Sequence, residues 1–311
     1  LVPSQRLRQD FQLLQDAVEE AAVVARRYFE RGAKVWEKGP NNPVTEADLA
    51  VDALLKKRLM KARPDYGWLS EETPDDGSRL TKSRVWMVDP IDGTRAFVKH
   101  HPEFAIAAGL VQDGKPVAGV VANPATGEIF AACAGGRVRL NGKLMPKPDP
   151  ARSLSNARIL GSRGPIEKVC GKLEGCEFFS VHSIAYRMAL VAAGKYDAAV
   201  AMSPTCDWDI AAADALVTQY RAQRGTTPEA LAGVLVHARQ HSEVPVSYAD
   251  VWEFWLRHAP ALRSRVDVAT VKFALRDLER LTAEEATAED FIDLGEASEF
   301  VPEIMDGECS A

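Results

Sequence analysis

The sequence of 311 residues predicts an α/β fold followed by an atypical, mainly helical C-terminal segment. Three observations carry this prediction. Apolar residues recur at helical spacing from Gln5 to Glu30, which indicates an amphipathic helix. Three apolar runs joined by Asp-Gly and Thr-Gly turns then indicate an antiparallel meander. From Ala157 to Asp209, strand and helix patterns alternate as they do in α/β proteins.

Two helices are expected near the start of the chain. Gly32 is placed to end the first. Thr45, followed three residues later by Asp48, forms a capping-box pattern before a helix from Leu49 to Met60, and Pro64 stops that helix. Asp48 is therefore either a capping carboxylate or a functional one, and the residues alone leave both interpretations open.

A loop with two carboxylates follows the apolar strand Arg84–Val88. Asp89 and Asp92 repel one another unless a cation lies between them, while Gly93 allows close backbone approach and Thr94 is placed to cap a short helix. The same residues also fit an ordinary Asp-Gly turn. A calcium EF-hand is excluded, because the third, fifth and twelfth positions of its loop would be Ile91, Gly93 and His100 instead of acidic residues.

The remaining elements complete the α/β pattern. A hairpin is expected at Asn141-Gly142, and residues 147–150 form a connector where a domain boundary is expected. The strands of the meander are Phe104–Val111, Pro116–Ala122 and Glu128–Cys133; beyond the connector, strands at Ala157–Leu160, Glu177–Val181 and Tyr196–Met202 surround a helix at Ser183–Ala193.

Two further acidic segments lie at the edges of predicted elements. Glu71-Glu72 precedes the Asp89 loop by fewer than twenty residues, and Asp207-Trp208-Asp209 opens a helix. Each alone is most simply a solvated loop or a helix start. Together with Asp89 and Asp92 they favour a site that holds hard cations and phosphate.

These segments resemble the motifs of the inositol monophosphatase superfamily. The likeness covers roughly residues 5 to 218 and implies a layered αβαβα sugar-phosphatase fold, with domains at 1–150 and 151–218, the second of them truncated. The stretches that carry it are Trp86–Thr94 and Trp208–Ala212 for the two signature motifs, Pro43–Asp48 for the first-helix motif and Leu69–Glu72 for the acidic loop.

The resemblance implies a phosphomonoesterase that uses two or three Mg²⁺ ions to neutralise phosphoryl charge and activate water. Oxygen ligands suit Mg²⁺, which explains a site without His or Cys. By resemblance, Glu72, Asp89 and the Ile91 carbonyl hold the first ion. Asp89, Asp92 and Asp209 hold the second, so that Asp89 bridges the two.

The other site residues are also assigned by resemblance. The backbone N–H groups of Gly93 and Thr94 bind the substrate phosphate, and Thr94 with Asp48 orients the attacking water. Glu71 orients the metal ligands without touching the metal.

The implied substrate is a small phosphorylated metabolite, either a 3'(2'),5'-bisphosphate nucleotide or an inositol monophosphate. The motifs resemble the nucleotidase branch slightly more than the inositol monophosphatase branch. Ser183, Arg187 and Asp207 stand where the family contacts the alcohol side of the ester. His100 and His101 are interpreted as surface residues rather than general acids, because adjacent loop residues point in different directions.

Composition limits the partners and the compartment. Five cysteines without a CxxC pair suggest neither a disulfide framework nor a zinc site, and a reducing cytoplasm is expected. No apolar run approaches a membrane span, and basic residues are too scattered for a nucleic-acid polymer. Residues 281–311 hold ten Asp or Glu and no basic residue, which leaves about +4 on the first 280. The resemblance adds lithium sensitivity and a homodimer as expectations.

The likeness ends near Thr218. Arg221 and Ala222 stand where the family has glycine, and residues 219–311 form an unrecognised, acid-ended segment. Helices are expected from Thr227, from Ser247, at 266–281 and from residue 282 onward. A second hypothesis therefore stays open: an inactive or weakened phosphatase-like body that serves as a binding module through this segment.

Overall fold

Two helices and a hairpin open the chain. The computed structural model describes residues 3–39, 42–146, 156–170, 172–201 and 205–224, with three short strands further on. Helix α1 (Gln5–Arg31) has Ser4 as its N-cap and Gly32 as its C-cap, and the φ of 85° at Gly32 suits glycine. Strands β1 (Val35–Gly39) and β2 (Asn42–Thr45) pair antiparallel. Helix α2 (Glu46–Ala62) follows with the predicted capping box.

A seven-stranded sheet forms the centre of the fold, and its strands lie in sequence order. The first two strands are parallel and the others antiparallel, which confirms the predicted meander. The short helix α3 (Thr94–Val98) separates the second strand from the third. The strands are β3 (Gly67–Ser70), β4 (Arg84–Asp92), β5 (Ala105–Gln112), β6 (Lys115–Asn123), β7 (Glu128–Cys133), β8 (Arg139–Leu140) and β9 (Lys143–Leu144).

A small parallel sheet with three helices makes up the rest of the body. Its strand order is β11-β10-β12. The first of the three helices was not predicted from the sequence, whereas the other two were. The elements are β10 (Arg158–Leu160), α4 (Arg163–Cys170), β11 (Glu177–Phe179), α5 (Ile184–Ala192), β12 (Ala198–Ala199) and α6 (Asp207–Arg224).

Side chains that alternate along β5 connect the layers. Ile106 and Ala108 pack with residues of α1 and α2, whereas Ala105 and Ala107 pack with residues of α5 and α6. Leu160 of the small sheet joins this second core, and α4 covers the far side of the small sheet. The five layers are the αβαβα arrangement that was predicted. The proposed boundary near residue 150 stays a prediction.

Helix α6 approaches the large sheet unusually closely. A Cβ placed on Gly119 of β6 would lie 1.9 Å from the Ala212 carbonyl oxygen, and one on Gly109 of β5 would lie 3.1 Å from Ala212 Cα. Side chains at these two strand positions would therefore push the helix away. The two glycines therefore allow α6 to pack directly on β5 and β6 at Ala212.

Three short strands are described in the C-terminal segment: β13 (His237–Ala238), β14 (Val271–Phe273) and β15 (Ile292–Asp293). They pair with one another, so β14 and β15 are extended within stretches where helices were predicted. The other residues of those stretches lie outside the described residues. Among the described helices, none has the length and apolarity to cross a membrane.

Candidate active site

The end of β4 buries its two carboxylates. Asp89 is 2% exposed and Asp92 is 8% exposed, and the pairing with β5 shifts register between them. The N–H of Ile91 donates to Asp89 Oδ1 at 3.0 Å. Gly93, with a φ of 94°, is the N-cap of α3, so the expectation that Thr94 caps this helix was wrong. A left-handed cap favours glycine, and Thr94 is the first helical residue.

Asp48 is a capping carboxylate that also contacts the β4 end, and its functional role stays a prediction. Its Oδ2 accepts from the N–H and Oγ1 of Thr45, at 2.8 and 2.5 Å, which completes the capping box. Its Oδ1 accepts from Thr94 Oγ1 at 3.3 Å, and the same hydroxyl lies 2.9 Å from the Ile91 carbonyl oxygen. Burial raises the pKa of Asp48 to about 7. One oxygen thus caps α2 while the other faces the β4 end.

Lys38 also lies at this site, although it was not among the residues predicted from the sequence. Its Nζ lies 3.0 Å from Glu71 Oε1 and 2.8 Å from Glu72 Oε1. The Glu72 side chain is 4% exposed, whereas that of Glu71 is 23% exposed. Lys38 lies in the β1–β2 hairpin, which was not predicted from the sequence. Its basic side chain shortly before the first-helix motif was the only signal that could have indicated it.

The acidic loop after β3 is also anchored to α2. Asp52 of α2 is buried and accepts from Ser70 Oγ at 2.5 Å and from Thr73 Oγ1 at 2.8 Å. These bonds fix the two ends of the turn that carries Glu71 and Glu72. Asp52 lies four residues after Asp48, on the same face of the helix.

Asp92 is held by the start of α5. Its Oδ2 accepts from Ser183 Oγ at 2.6 Å and from the N–H of Ala185 at 2.7 Å. Ser183 Oγ also accepts from the N–H of Tyr186 and caps the helix. Ser183 therefore positions a predicted metal ligand; its predicted contact with the substrate stays a prediction.

The other two residues predicted for the alcohol side lie nearby. Arg187 of α5 donates to the carbonyl oxygens of Val181 and Val200, the second at 3.0 Å. Asp207 is the first residue of α6. Neither placement tests their predicted roles.

Asp209 enters the site from the first turn of α6. Its Oδ2 accepts from the N–H of Cys206 at 2.7 Å. Burial of its carboxyl group, followed by the charge of Asp92, raises its pKa well above the usual range.

The carboxylates form one electrostatic cluster. Burial raises the pKa of Asp89 well above its usual value, and the charges of Glu71, Asp92, Asp209 and Asp48 act in the same direction. Burial also raises the pKa of Asp92, to about 6, although the hydrogen bonds from α5 oppose this. Such a buried, oxygen-only set of mutually repelling carboxylates fits a hard divalent cation such as Mg²⁺.

A tighter group of ligand atoms lies beside this cluster. Among the residues that the structure describes, one set of three His, Cys, Asp or Glu side chains has all its ligand atoms within 4.8 Å of one another: His101, Glu103 and His182. His100 and His101 are both exposed, as predicted. They point in different directions, since the His100 ring contacts Phe29.

Known proteins match this body closely. An inositol-1-monophosphatase of Rhizobium meliloti is 32% identical over 60% of this chain and 73% of its own length. A 3'(2'),5'-bisphosphate nucleotidase CysQ of Aggregatibacter actinomycetemcomitans is 33% identical over 67% of this chain and 81% of its own. The crystal structure of the extragenic suppressor protein SuhB of Bartonella henselae superposes with a TM-score of 0.59, at 28% identity, over 67% of this chain and 84% of that one.

The profile of the inositol monophosphatase family matches residues 6–222. The match begins in α1 and ends in α6, so it includes every predicted metal ligand. The solved relative has the same fold. The resemblance inferred from the motifs is confirmed, and the chain belongs to the inositol monophosphatase family.

Proposed function

We propose that this protein is a Mg²⁺-dependent phosphomonoesterase that hydrolyses a small phosphorylated metabolite with an activated water. The observation that carries the proposal is the buried cluster of Asp89, Asp92 and Asp209, which lies next to the hydrogen-bonded pair of Thr94 and Asp48. Membership of the family, which includes relatives named as an inositol-1-monophosphatase and a bisphosphate nucleotidase, supports the same reaction class.

The carboxylates divide between two cation positions. Glu72, Asp89 and the Ile91 carbonyl would hold one ion, and Asp89, Asp92 and Asp209 the other. Bound Mg²⁺ supplies positive charge for the phosphoryl oxygens and lowers the pKa of water. Lys38 pairs with Glu72 in the described structure, and its charge partly balances the acidic loop.

Thr94 and Asp48 provide a route for a proton. The Thr94 hydroxyl lies within hydrogen-bond distance of Asp48 Oδ1, so it can accept a hydrogen bond from water while it donates to the carboxylate. A carboxyl group whose pKa is raised to about 7 accepts a proton near neutral pH, which suits a general base. The two residues thereby orient a nucleophilic water and receive its proton.

The N–H groups of Gly93 and Thr94 are proposed to bind the substrate phosphate. Space around Gly93 is limited: a Cβ there would lie 3.2 Å from the Glu103 carbonyl oxygen and 3.4 Å from Ser183 N. The loop therefore keeps a backbone path that only glycine adopts easily, and its N–H groups stay beside the acidic cluster.

The substrate is proposed to be a 3'(2'),5'-bisphosphate nucleotide or an inositol monophosphate. Relatives with each of these activities in their names match the chain at 33% and 32% identity, so identity does not separate them. Ser183, Arg187 and Asp207 are the residues proposed to face the alcohol part of the ester. A cytoplasmic homodimer that lithium inhibits completes the proposal.

Phosphate release tests the reaction directly. The full chain is assayed with Mg²⁺ on 3'-phosphoadenosine 5'-phosphate, inositol 1-phosphate and histidinol phosphate, and we expect release from at least one. Asp89→Asn should lower the rate by about 10²–10³-fold or more, because it removes the shared charge. Asp113→Asn is the matched control, since Asp113 lies in an exposed turn with a φ of 51°, which asparagine tolerates.

Two results would contradict the proposal. Absence of release from all three substrates would favour the binding-module hypothesis, whose C-terminal segment lies almost entirely outside the described residues. Equal rates for Asp89→Asn and Asp113→Asn would show that hydrolysis does not depend on this cluster. Addition of Li⁺ should inhibit the active enzyme.

A further inference from the structure

Two exposed histidines and a glutamate meet on the rim of the acidic site. His101 and Glu103 belong to the loop between α3 and β5, and His182 precedes the N-cap of α5. His101 Nδ1 lies 3.8 Å from Glu103 Oε2. The two imidazole rings are stacked at an interplanar angle of 27°, with their centroids 6.1 Å apart. Three ligand side chains from two chain segments therefore converge on one point.

Glu103 has a carboxylate oxygen that lacks a partner. Its Oε2 is buried and accepts no hydrogen bond from any residue that the structure describes. A buried carboxylate oxygen is costly to leave without a donor or a cation. Oε2 is also the atom of Glu103 that lies closest to the histidine, so a cation between them would satisfy it.

The backbone prearranges the three residues. The Glu103 carbonyl oxygen accepts from the N–H of Ser183 at 3.2 Å, which fixes the loop against the start of α5. His182 is adjacent to this bond, and Glu103 is two residues from His101. A cation bound here would join the same two segments that the hydrogen bond already connects.

The ligand chemistry differs from that of the acidic cluster. Two imidazoles and one carboxylate suit Zn²⁺ and similar borderline cations, whereas Mg²⁺ prefers oxygen ligands alone. Burial lowers the pKa of His182; the charge of Glu103 opposes this shift, whereas the charges of Arg187 and Arg95 add to it. The two arginine charges oppose a cation, but they keep the imidazole in the neutral form that ligates one.

We propose that His101, Glu103 and His182 form a second cation site that binds Zn²⁺ and is separate from the Mg²⁺ carboxylates. Three protein ligands leave one tetrahedral position for water or another group. The site connects to the acidic cluster through Ser183, which donates to Asp92 at 2.6 Å. This inference concerns binding and does not depend on phosphatase activity.

Zinc titration of the full chain tests the site. Isothermal titration calorimetry is performed with Zn²⁺ in the presence of excess Mg²⁺, which occupies the oxygen ligands. We expect the wild type to bind one Zn²⁺ that the double variant His101→Gln/His182→Gln loses, and each single variant to bind at least about tenfold more weakly. His100→Gln is the matched control, because His100 lies next to the cluster but faces Phe29.

Cobalt substitution identifies the ligands. We expect the visible spectrum of Co²⁺ bound to the wild type to show nitrogen and oxygen ligation, and this spectrum to disappear in the double variant and persist in His100→Gln. Undiminished Zn²⁺ binding by a folded double variant would overturn the proposal. A thiolate-to-cobalt charge-transfer band would also overturn it, because it would place the ion on cysteine. Absence of Zn²⁺ binding by the wild type would likewise overturn the proposal.

Discussion

The site is assembled from two regions that are held in place in different ways. The β4 end, residues 89–94, is one continuous segment that strand pairing and the Asp48–Thr94 hydrogen bond position. The α5–α6 side, represented by Ser183 and Asp209, comes from about ninety or more residues further along and depends on helix packing. Residues 89–94 are therefore positioned mainly by their own segment, whereas the placement of Ser183 and Asp209 beside them depends on tertiary structure.

The largest expected effect concerns the buried carboxylates at and around the β4 end. Burial raises the pKa of Asp48 to about 7 and that of Asp92 to about 6, above their usual values. Between about pH 4 and pH 7 the native protein thus binds more protons than the unfolded chain, so its metal-free stability falls as the pH rises. We expect a fall on the order of 3 kcal/mol between pH 5 and pH 8 in urea denaturation.

Mg²⁺ should oppose this fall, because it replaces the protons. The increase in Tm on addition of Mg²⁺ should be larger at pH 8 than at pH 5. Asp209→Asn tests whether the α5–α6 side contributes a buried carboxylate to this charge: it should raise metal-free stability at pH 8, yet reduce the response to Mg²⁺. Asp113→Asn should change neither the metal-free stability at pH 8 nor the response to Mg²⁺. A pH profile that Asp209→Asn leaves unchanged would mean that α6 does not share the charge.

The second effect concerns the packing that places Asp209. Gly119→Ala would bring a Cβ to 1.9 Å from the Ala212 carbonyl oxygen, so α6 must move. We expect a loss of about 1–3 kcal/mol in the free energy of unfolding, since overpacking has that cost. A shift of about 1 Å in Asp209 should lower the rate of hydrolysis about 100-fold. Urea denaturation and phosphate release measure the two effects.

Two other glycines calibrate this experiment. Gly109→Ala should be milder, because its Cβ would lie 3.1 Å from Ala212. Gly39→Ala, at the end of β1 with nothing within 4 Å of the added Cβ and no positive φ, should change the free energy of unfolding by no more than about 0.5 kcal/mol. Equal stability and activity for all three variants would show that close packing of α6 is not what completes the site.

The same contrast explains what the sequence could predict. The Asp89–Thr94 motif, the capping box at Thr45 and the meander depend on neighbouring residues, and all three elements are present. Lys38 was missed because its contact with Glu71 and Glu72 spans more than thirty residues and an unpredicted hairpin. The proximity of His182 to Glu103 was missed because the two residues come from segments far apart in the sequence.

Asp52 is another residue whose role could not be predicted from the sequence. A polar residue within a helix is ordinarily expected to face solvent, yet Asp52 is buried because Ser70 and Thr73 donate to it. Nothing in its own segment indicates these partners. The residues proposed to carry the chemistry were predicted from motifs, whereas the residues that position them were found only from contacts between distant segments.

The smallest expected effect concerns the single hydroxyl that joins the two regions. Ser183 Oγ donates to Asp92 and caps α5, so Ser183→Ala removes both interactions. Ser4→Ala is matched to it, because Ser4 caps α1 through a bond from Leu7 N and contacts no predicted ligand. Each variant should lose about 1 kcal/mol of stability, the usual value of an N-cap.

Only Ser183→Ala should also change the response to metal. Without the serine hydroxyl, Asp92 keeps one donor, the N–H of Ala185, and its carboxylate is less firmly oriented. We expect about a tenfold higher Mg²⁺ concentration for half-maximal activity, the lower end of the effect of losing a residue that orients a metal ligand. Ser183→Thr keeps the hydroxyl, so it should need the same Mg²⁺ concentration for half-maximal activity as the wild type. An equal Mg²⁺ requirement in Ser183→Ala and Ser4→Ala would reduce Ser183 to a helix cap, and the α5–α6 side would then act on the β4 end through Asp209 alone.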